Sequence, residues 1–292
     1  MLFKIAVVFL RLLSVTPLSL LYGVSTLLGW LVWLIPNGFK KVVADNIRAC
    51  FSAQTKKQQD QLIRRTIIES IMCFLEIGFI YFRSKEAILK KIVKVSGFDD
   101  AIKTHESGQA VIIASPHVGS WEILGVFLGQ HLPITILYKQ PKNEKFDQLI
   151  KTARTRAGSN VVPIGPSGLR ILMSTLKKKG VIGMLPDQVP GEDAGVFADF
   201  YGVKAYTMFL MGKMALKSNA EIFYVFAERL PWGKGYHIHC IKGDEAIKSK
   251  DQVVSATASN QGVEQCIDII PDQYQWGYKR FKRRPEGAES IY

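Results

Sequence analysis

Residues 110–122, Ala-Val-Ile-Ile-Ala-Ser-Pro-His-Val-Gly-Ser-Trp-Glu, hold an apolar run, a proline, and then a histidine and a glutamate five positions apart. Ala110 to Ala114 is short and rich in β-branched residues, with Gly108 and Pro116 on its flanks. That is the pattern of a strand buried on both faces of a parallel sheet. In open α/β sheets, chemistry gathers beyond the carboxyl ends of strands, which is where His117 stands. Ser120 suits the N-cap of a following helix. On one continuous helix, residues five apart point away from each other; across a strand-to-helix corner they converge. Glu122 is therefore expected to take one ring nitrogen of His117, fix its tautomer and raise the basicity of the other. A structural histidine that caps the turn leaves the same pattern.

Outward from this stretch, short apolar runs alternate with helical patterns. Strands are expected at Ile92–Val95, Ile134–Tyr138, Val161–Ile164, Val181–Leu185, Glu221–Ala227 and Tyr236–Lys242. Helices are expected at Phe98–His105, Trp121–Gln130, Glu144–Ala157, Ser167–Lys179, Tyr206–Lys217 and Gly262–Ile270. This alternation predicts an α/β fold with a largely parallel or mixed central sheet flanked by helices. Val189–Tyr206 reads as a long substrate loop, and Asp244–Ser259 as the most loop-like region. Residues 40–91 read as helical, with Thr55 to Gln58 in the form of a capping box.

From Leu12 to Phe39 there is no charged residue, which is long enough for a bilayer-spanning helix. Lys40, Lys41, Arg48, Lys56 and Lys57 follow closely. The expected division is a membrane anchor over residues 1–39 and an α/β domain over residues 40–292. The basic residues after the anchor place that domain on the cytoplasmic face. An in-plane or core helix is the alternative.

The chain of 292 residues carries a formal net charge of +13, which calls for an anionic partner. The basic patches lack the motifs of RNA-binding modules, so the membrane is preferred to nucleic acid. The four cysteines show no paired spacing, as expected of reduced thiols. G-x-S-x-G, Walker A and G-x-G-x-x-G patterns are absent, and Ser174 to Lys177 matches S-x-x-K without the K-T-G that goes with it. His237 and His239 share one face of a strand while Cys240 points away, so no metal is expected. Arg154 and Arg156 precede one strand, and Asp187 and Gln188 directly follow another. An arginine there can stabilise an oxyanion or hold a phosphate.

Taken in order, the N-terminal apolar segment, His117-x4-Glu122, Arg154-x-Arg156, Gly183 to Gln188, and the terminal run from Gln275-Trp276 through Arg280-Phe281 to Arg284-Pro285 resemble the late acyltransferases of lipid A biosynthesis. The resemblance covers almost the whole chain. The HX4(D/E) pair alone is shared with glycerolipid and mycobacterial glycolipid acyltransferases, whereas the terminal run is far more specific. Some members carry Asp where Glu122 stands.

The resemblance implies a bacterial inner-membrane enzyme that moves a fatty acyl chain from acyl carrier protein to a hydroxyl on a lipid A precursor. It implies His117 as general base and Glu122 as its orienting carboxylate. Arg154, Asp187 and Gln188 would serve the substrate or the oxyanion, with direct transfer and no cofactor. Two other readings fit the residues: a glycerolipid acyltransferase, and a non-catalytic, membrane-anchored lipid-binding protein.

Overall fold

The computed structural model describes residues 2–292; Met1, the first residue of the expected anchor, lies outside the described residues. The N-terminal third is helical: α1 (Leu2–Val15), α2 (Leu18–Leu34), α3 (Gly38–Cys50), α4 (Lys56–Leu75), α5 (Ile77–Phe82) and α6 (Lys85–Leu89). Alternation then begins with β1 (Ile92–Ser96), α7 (Phe98–Glu106), β2 (Val111–Ala114), α8 (Trp121–His131) and β3 (Ile134–Tyr138). It continues through α9 (Glu144–Thr155), β4 (Asn160–Pro163), α10 (Pro166–Lys177) and β5 (Val181–Met184). The last third holds β6 (Gly195–Phe200), β7 (Val203–Met208), α11 (Leu210–Ser218), β8 (Glu221–Leu230), β9 (Gly235–Lys242) and α12 (Gln252–Ile269).

Seven strands form one sheet in the order β1-β9-β8-β2-β5-β3-β4, and β6 and β7 form a separate hairpin. Every pairing in the large sheet is parallel except β8 with β9. The expected α/β class with a largely parallel, mixed sheet is therefore observed. β2 lies at its centre, with Ala114 level with Met184 on one side and Tyr224 on the other. Ile112 and Ala114 face one apolar cluster, which holds Leu172, Phe226 and Trp276. Val111 and Ile113 face the second, which holds Ile123, Phe127 and Val225. A strand covered on both faces needs this unbroken apolar run.

The N-terminal segment departs from the expected single spanning helix. It forms α1 and α2, bent by 117° at the break between them, and among the described residues no single helix is long and apolar enough to cross a membrane. Pro17 sits at that break. It has no N–H to give to the preceding turn, and its ring clashes with a continuing helix. The two halves then pack separately, α1 on α5 and α2 on α4. A Cβ on Gly29 would lie 2.4 Å from Ile68 Cγ1, so only glycine lets α2 approach α4 this closely. Leu13, Leu18 and Leu21 are buried in the same cluster as Phe79, Ile88 and Val225.

Two further expectations are corrected. Val189–Tyr206 is no open loop: β6 and β7 fill most of it, and helix α11 starts at Leu210 rather than at Tyr206. The hairpin turns on Tyr201 at φ +49° and Gly202 at φ +74°, the two left-handed residues of a type I′ turn. The region Asp244–Ser259 contains the first half of α12, capped by Asp251, whose side chain accepts from the Val253 and Val254 amides. Its serines and asparagine look like loop residues because their partners are distant. Ser255 Oγ donates to the Ile247 carbonyl at 2.6 Å, and Asn260 Nδ2 donates to the Asp199 carbonyl at 2.7 Å. The expected capping box at Thr55 and Gln58 is present.

Ile112 is fully buried at the centre of the sheet. Ile112→Ala is expected to cost about 2–5 kcal/mol, because both the transfer of buried methyls and the cavity they leave oppose folding. The shift in the urea unfolding midpoint measures it.

Candidate active site

The ladder of β2 runs one residue past the strand, with Ser115 N–H on the Met184 carbonyl at 2.9 Å, and Pro116 then ends it. His117 stands three residues past Ala114, and Asp187 three past Met184 on the neighbouring strand β5. Equal offsets on adjacent parallel strands bring the two side chains together. Asp187 Oδ2 accepts the His117 backbone N–H at 2.9 Å, and Oδ1 accepts the ring Nδ1–H at 2.9 Å. Only 2% of Asp187 is exposed. Burial by itself would push its pKa up, but the His117 charge and the His117 hydrogen bonds outweigh this and hold the carboxyl below its ordinary range.

With Nδ1 protonated toward Asp187, Nε2 carries the lone pair. Gln188 Nε2 donates to it at 3.2 Å and also donates to Gln275 Oε1 at 3.1 Å. The Trp121 ring meets the imidazole edge-on at 5.2 Å between centroids. The His117 ring is thus anchored at Nδ1 by Asp187, with Nε2 against the Gln188 amide.

The carboxylate on His117 is therefore Asp187, and not Glu122 as expected. Glu122 lies in the first turn of α8 and turns toward the last turn of α9. It takes Arg154 in a two-pronged grip, Nε to Oε2 at 3.1 Å and Nη2 to Oε1 at 2.6 Å. The corner at Gly119 and Ser120 does not bend Glu122 back far enough to reach the ring. Burial works against the charge of Arg154, yet Glu122 outweighs it and raises its pKa above the ordinary value. Arg156 stays out of the site, its guanidinium capping the end of α5 through the carbonyls of Ile80, Tyr81 and Arg83.

Strand β8 and the C-terminal segment together clamp the loop that carries His117. Gly119 has φ +65°, and a Cβ there would lie 1.9 Å from the Ala227 carbonyl oxygen, so β8 admits only glycine. Ser120 N–H donates to that same carbonyl at 2.8 Å. From the C-terminal side, Gly119 N–H donates to the Gln273 carbonyl at 2.9 Å and Gln275 N–H to the His117 carbonyl at 3.0 Å. Beneath the loop, Arg229 is 3% exposed and donates Nη2–H to the Gly119 carbonyl at 3.2 Å. Its Nε lies 3.4 Å from Glu69 and 3.6 Å from Glu76. Burial raises the pKa of both acids, with Arg229 opposing.

Sequence reading named Gln275 only as part of the terminal run and missed its contact with Gln188, together with Gln273 and this buried network. Arg229, Glu69 and Glu76 each lie within an apolar segment, and that was the available signal: charge at a core position needs a partner. The terminal run is packed into the core and hydrogen-bonded to it. Trp276 Nε1–H donates to the Pro271 carbonyl at 2.7 Å. Arg280, 1% exposed, donates to the Tyr206 carbonyl at 2.8 Å and to Thr207 Oγ1 at 2.7 Å. Pinned in this way, the run presents Gln275 to Gln188.

The family model described as "Bacterial lipid A biosynthesis acyltransferase" matches residues 1–283. The lipid A biosynthesis palmitoleoyltransferase of Escherichia coli K12 is 26% identical over 279 residues, covering 93% of this chain and 89% of the relative. The lipid A biosynthesis lauroyltransferase of the same organism is 26% identical over 277 residues, covering 94% and 90%. Its lipid A biosynthesis myristoyltransferase is 20% identical over 251 residues, covering 85% and 76%.

Two measurements check the geometry at His117. Nitrogen-15 NMR of the imidazole is expected to show the proton on Nδ1 at neutral pH, and Asp187→Asn is expected to shift the ring toward the other tautomer. Because the Asp187 pKa is lowered in the folded state, its contribution to stability is complete above about pH 4 and fades as pH falls through the lowered value. Wild type should therefore lose more stability than Asp187→Asn on acidification below about pH 4, followed by unfolding at each pH.

Proposed function

We propose, since this chain belongs to the bacterial lipid A biosynthesis acyltransferase family, that it moves a fatty acyl chain from acyl carrier protein to a hydroxyl of an acyl chain on a lipid A precursor. The family makes it an acyltransferase of lipid A biosynthesis; the donor, the hydroxyl and the steps are our reading. One observation carries the mechanism: His117 is held by both oxygens of buried Asp187, with Nε2 facing outward.

The acceptor hydroxyl takes the place of the Gln188 amide at Nε2. Its oxygen attacks the thioester carbonyl as His117 accepts the hydroxyl proton. Asp187 stabilises the imidazolium and keeps the ring in place, the role for which Glu122 was expected. The tetrahedral intermediate then collapses. The C–S bond breaks, and the carrier thiolate leaves with the proton that His117 held. No acyl-enzyme is needed. Two of the Arg154 nitrogens are engaged by Glu122, which leaves Nη1 as the donor for the oxyanion or for a phosphate of the acceptor.

We assign membrane attachment to α1 and α2. Phe9, Leu12, Leu20, Leu27, Leu31 and Leu34 are all exposed apolar residues. Cations sit on aromatic rings around them, Arg64 over Trp30 at 4.5 Å and Arg11 over Phe82 at 5.6 Å. Apolar bodies with charged collars suit a bent pair seated in the cytoplasmic face of the inner membrane. This is the role we assign to residues 1–39, with 40–292 as the catalytic part. The +13 charge suits both an acidic carrier protein and the phosphates of the acceptor.

Mass spectrometry of lipid A from cells lacking the gene, rescued by wild type or by His117→Ala, tests the reading. Loss of acyl chain restored only by wild type is expected; an unchanged lipid A profile would favour a glycerolipid acceptor or a non-catalytic lipid-binding role. In purified enzyme, Asp187→Asn is expected to lower the transfer rate about 10²–10⁴-fold, by analogy with loss of the orienting carboxylate in a Ser-His-Asp triad.

A further inference from the structure

We propose that Glu228, His237 and His239 form a binding site for a divalent transition-metal cation of the zinc class, apart from the His117–Asp187 pair. The antiparallel pairing of β8 with β9 sets Glu228 opposite His237 and Phe226 opposite His239. Alternation along both strands then puts the carboxylate and both imidazoles on one face. His239 Nε2 lies 2.8 Å from Glu228 Oε2, and His237 Nδ1 lies 3.4 Å from the same oxygen. All three donor atoms fall within 4.8 Å of one another. A zinc ion about 2.0–2.2 Å from each nitrogen and oxygen needs spacings of this order.

The rings are already set. His237 Nε2 is 2.8 Å from Ser96 Oγ on β1, the outer hydrogen bond that metal-binding histidines make through their second nitrogen. With that proton on Nε2, Nδ1 presents its lone pair inward. The His239 ring is stacked on Phe226, with centroids 4.7 Å apart and planes 5° from parallel, which fixes Nε2 toward Glu228. The side chains of Glu228, His237 and His239 keep 24%, 11% and 15% exposure, so an ion can enter from solvent. Three protein ligands leave a coordination position for water.

The sequence alone argued against metal because Cys240 points away and no further ligand stood near the two histidines. The missing ligand comes from the opposite strand. A cation here would tie β8 to β9 immediately beyond Ala227, whose carbonyl holds Ser120. We assign it no step of acyl transfer.

The test uses full-length, tag-free protein in detergent, stripped with chelator and titrated with zinc chloride. One zinc per chain is expected by elemental analysis and calorimetry, with a higher melting temperature in the loaded form. Glu228→Gln and His239→Gln are each expected to weaken binding at least about tenfold, and Ser96→Ala to weaken it by about tenfold through the outer hydrogen bond. Wild type that takes up no zinc, or variants that bind it as tightly as wild type, would overturn the proposal. Should the variants lose their metal-free fold, cobalt(II) loaded into wild type decides. Visible bands of nitrogen and oxygen ligation support the site, and a near-ultraviolet thiolate band places the metal on cysteine and overturns it.

Discussion

Asp187 uses both carboxylate oxygens on one residue, accepting the backbone N–H and the ring Nδ1–H of His117. The geometry of the candidate site rests on that double contact. It demands that β2 and β5 be neighbours and that their last residues stay in register, so that two chain ends exit side by side. It demands too that both strands be buried on both faces, because a carboxylate that is 2% exposed keeps its charge only where every oxygen has a partner. The two apolar layers around the sheet therefore supply the low dielectric in which one hydrogen-bonded pair fixes a tautomer.

The loop between β2 and α8 is positioned from three directions and not by its own residues. Ala227 on β8 stops Gly119, Gln273 and Gln275 hold it from the C-terminal side, and Arg229 reaches its carbonyl from below. Replacing Arg229 by a neutral side chain would strand Glu69 and Glu76 in the core, which is why removal of one partner from such a network costs more than the network contributes. The terminal run serves the same end. Trp276, Arg280 and Phe281 are each 1% exposed, and their packing sets where Gln275 stands. Specific sequence here fixes a backbone path.

The strands were legible because their composition is local. Val181 to Met184 and Val111 to Ala114 are apolar throughout, and each run ends at a proline two residues on, Pro186 and Pro116, with a polar residue, Asp187 and His117, directly after it. The hairpin at Tyr201–Gly202 and the start of α12 were not legible for the opposite reason. The turn depends on two left-handed residues of which only one is glycine. In α12, Ser255 and Asn260 resemble loop residues until Ile247, Asp199 and Thr207 are brought beside them. The N-terminal segment announced its apolar character, but one proline and its packing partners α4 and α5 decided that it bends into two helices.

By itself the sequence determined the α/β class, the position of His117 at a strand end, the polar pair Asp187–Gln188 at another, and a basic chain with an apolar N-terminus. Each is set by side-chain pattern along a few consecutive residues. Only the tertiary structure decided which carboxylate meets the histidine. Glu122 is five residues away along the chain and Asp187 seventy, yet β3 and β4 lie outside β5, so β5 is the strand beside β2. Proximity in a parallel sheet follows strand order and register, and neither is written in the local spacing of the residues that meet.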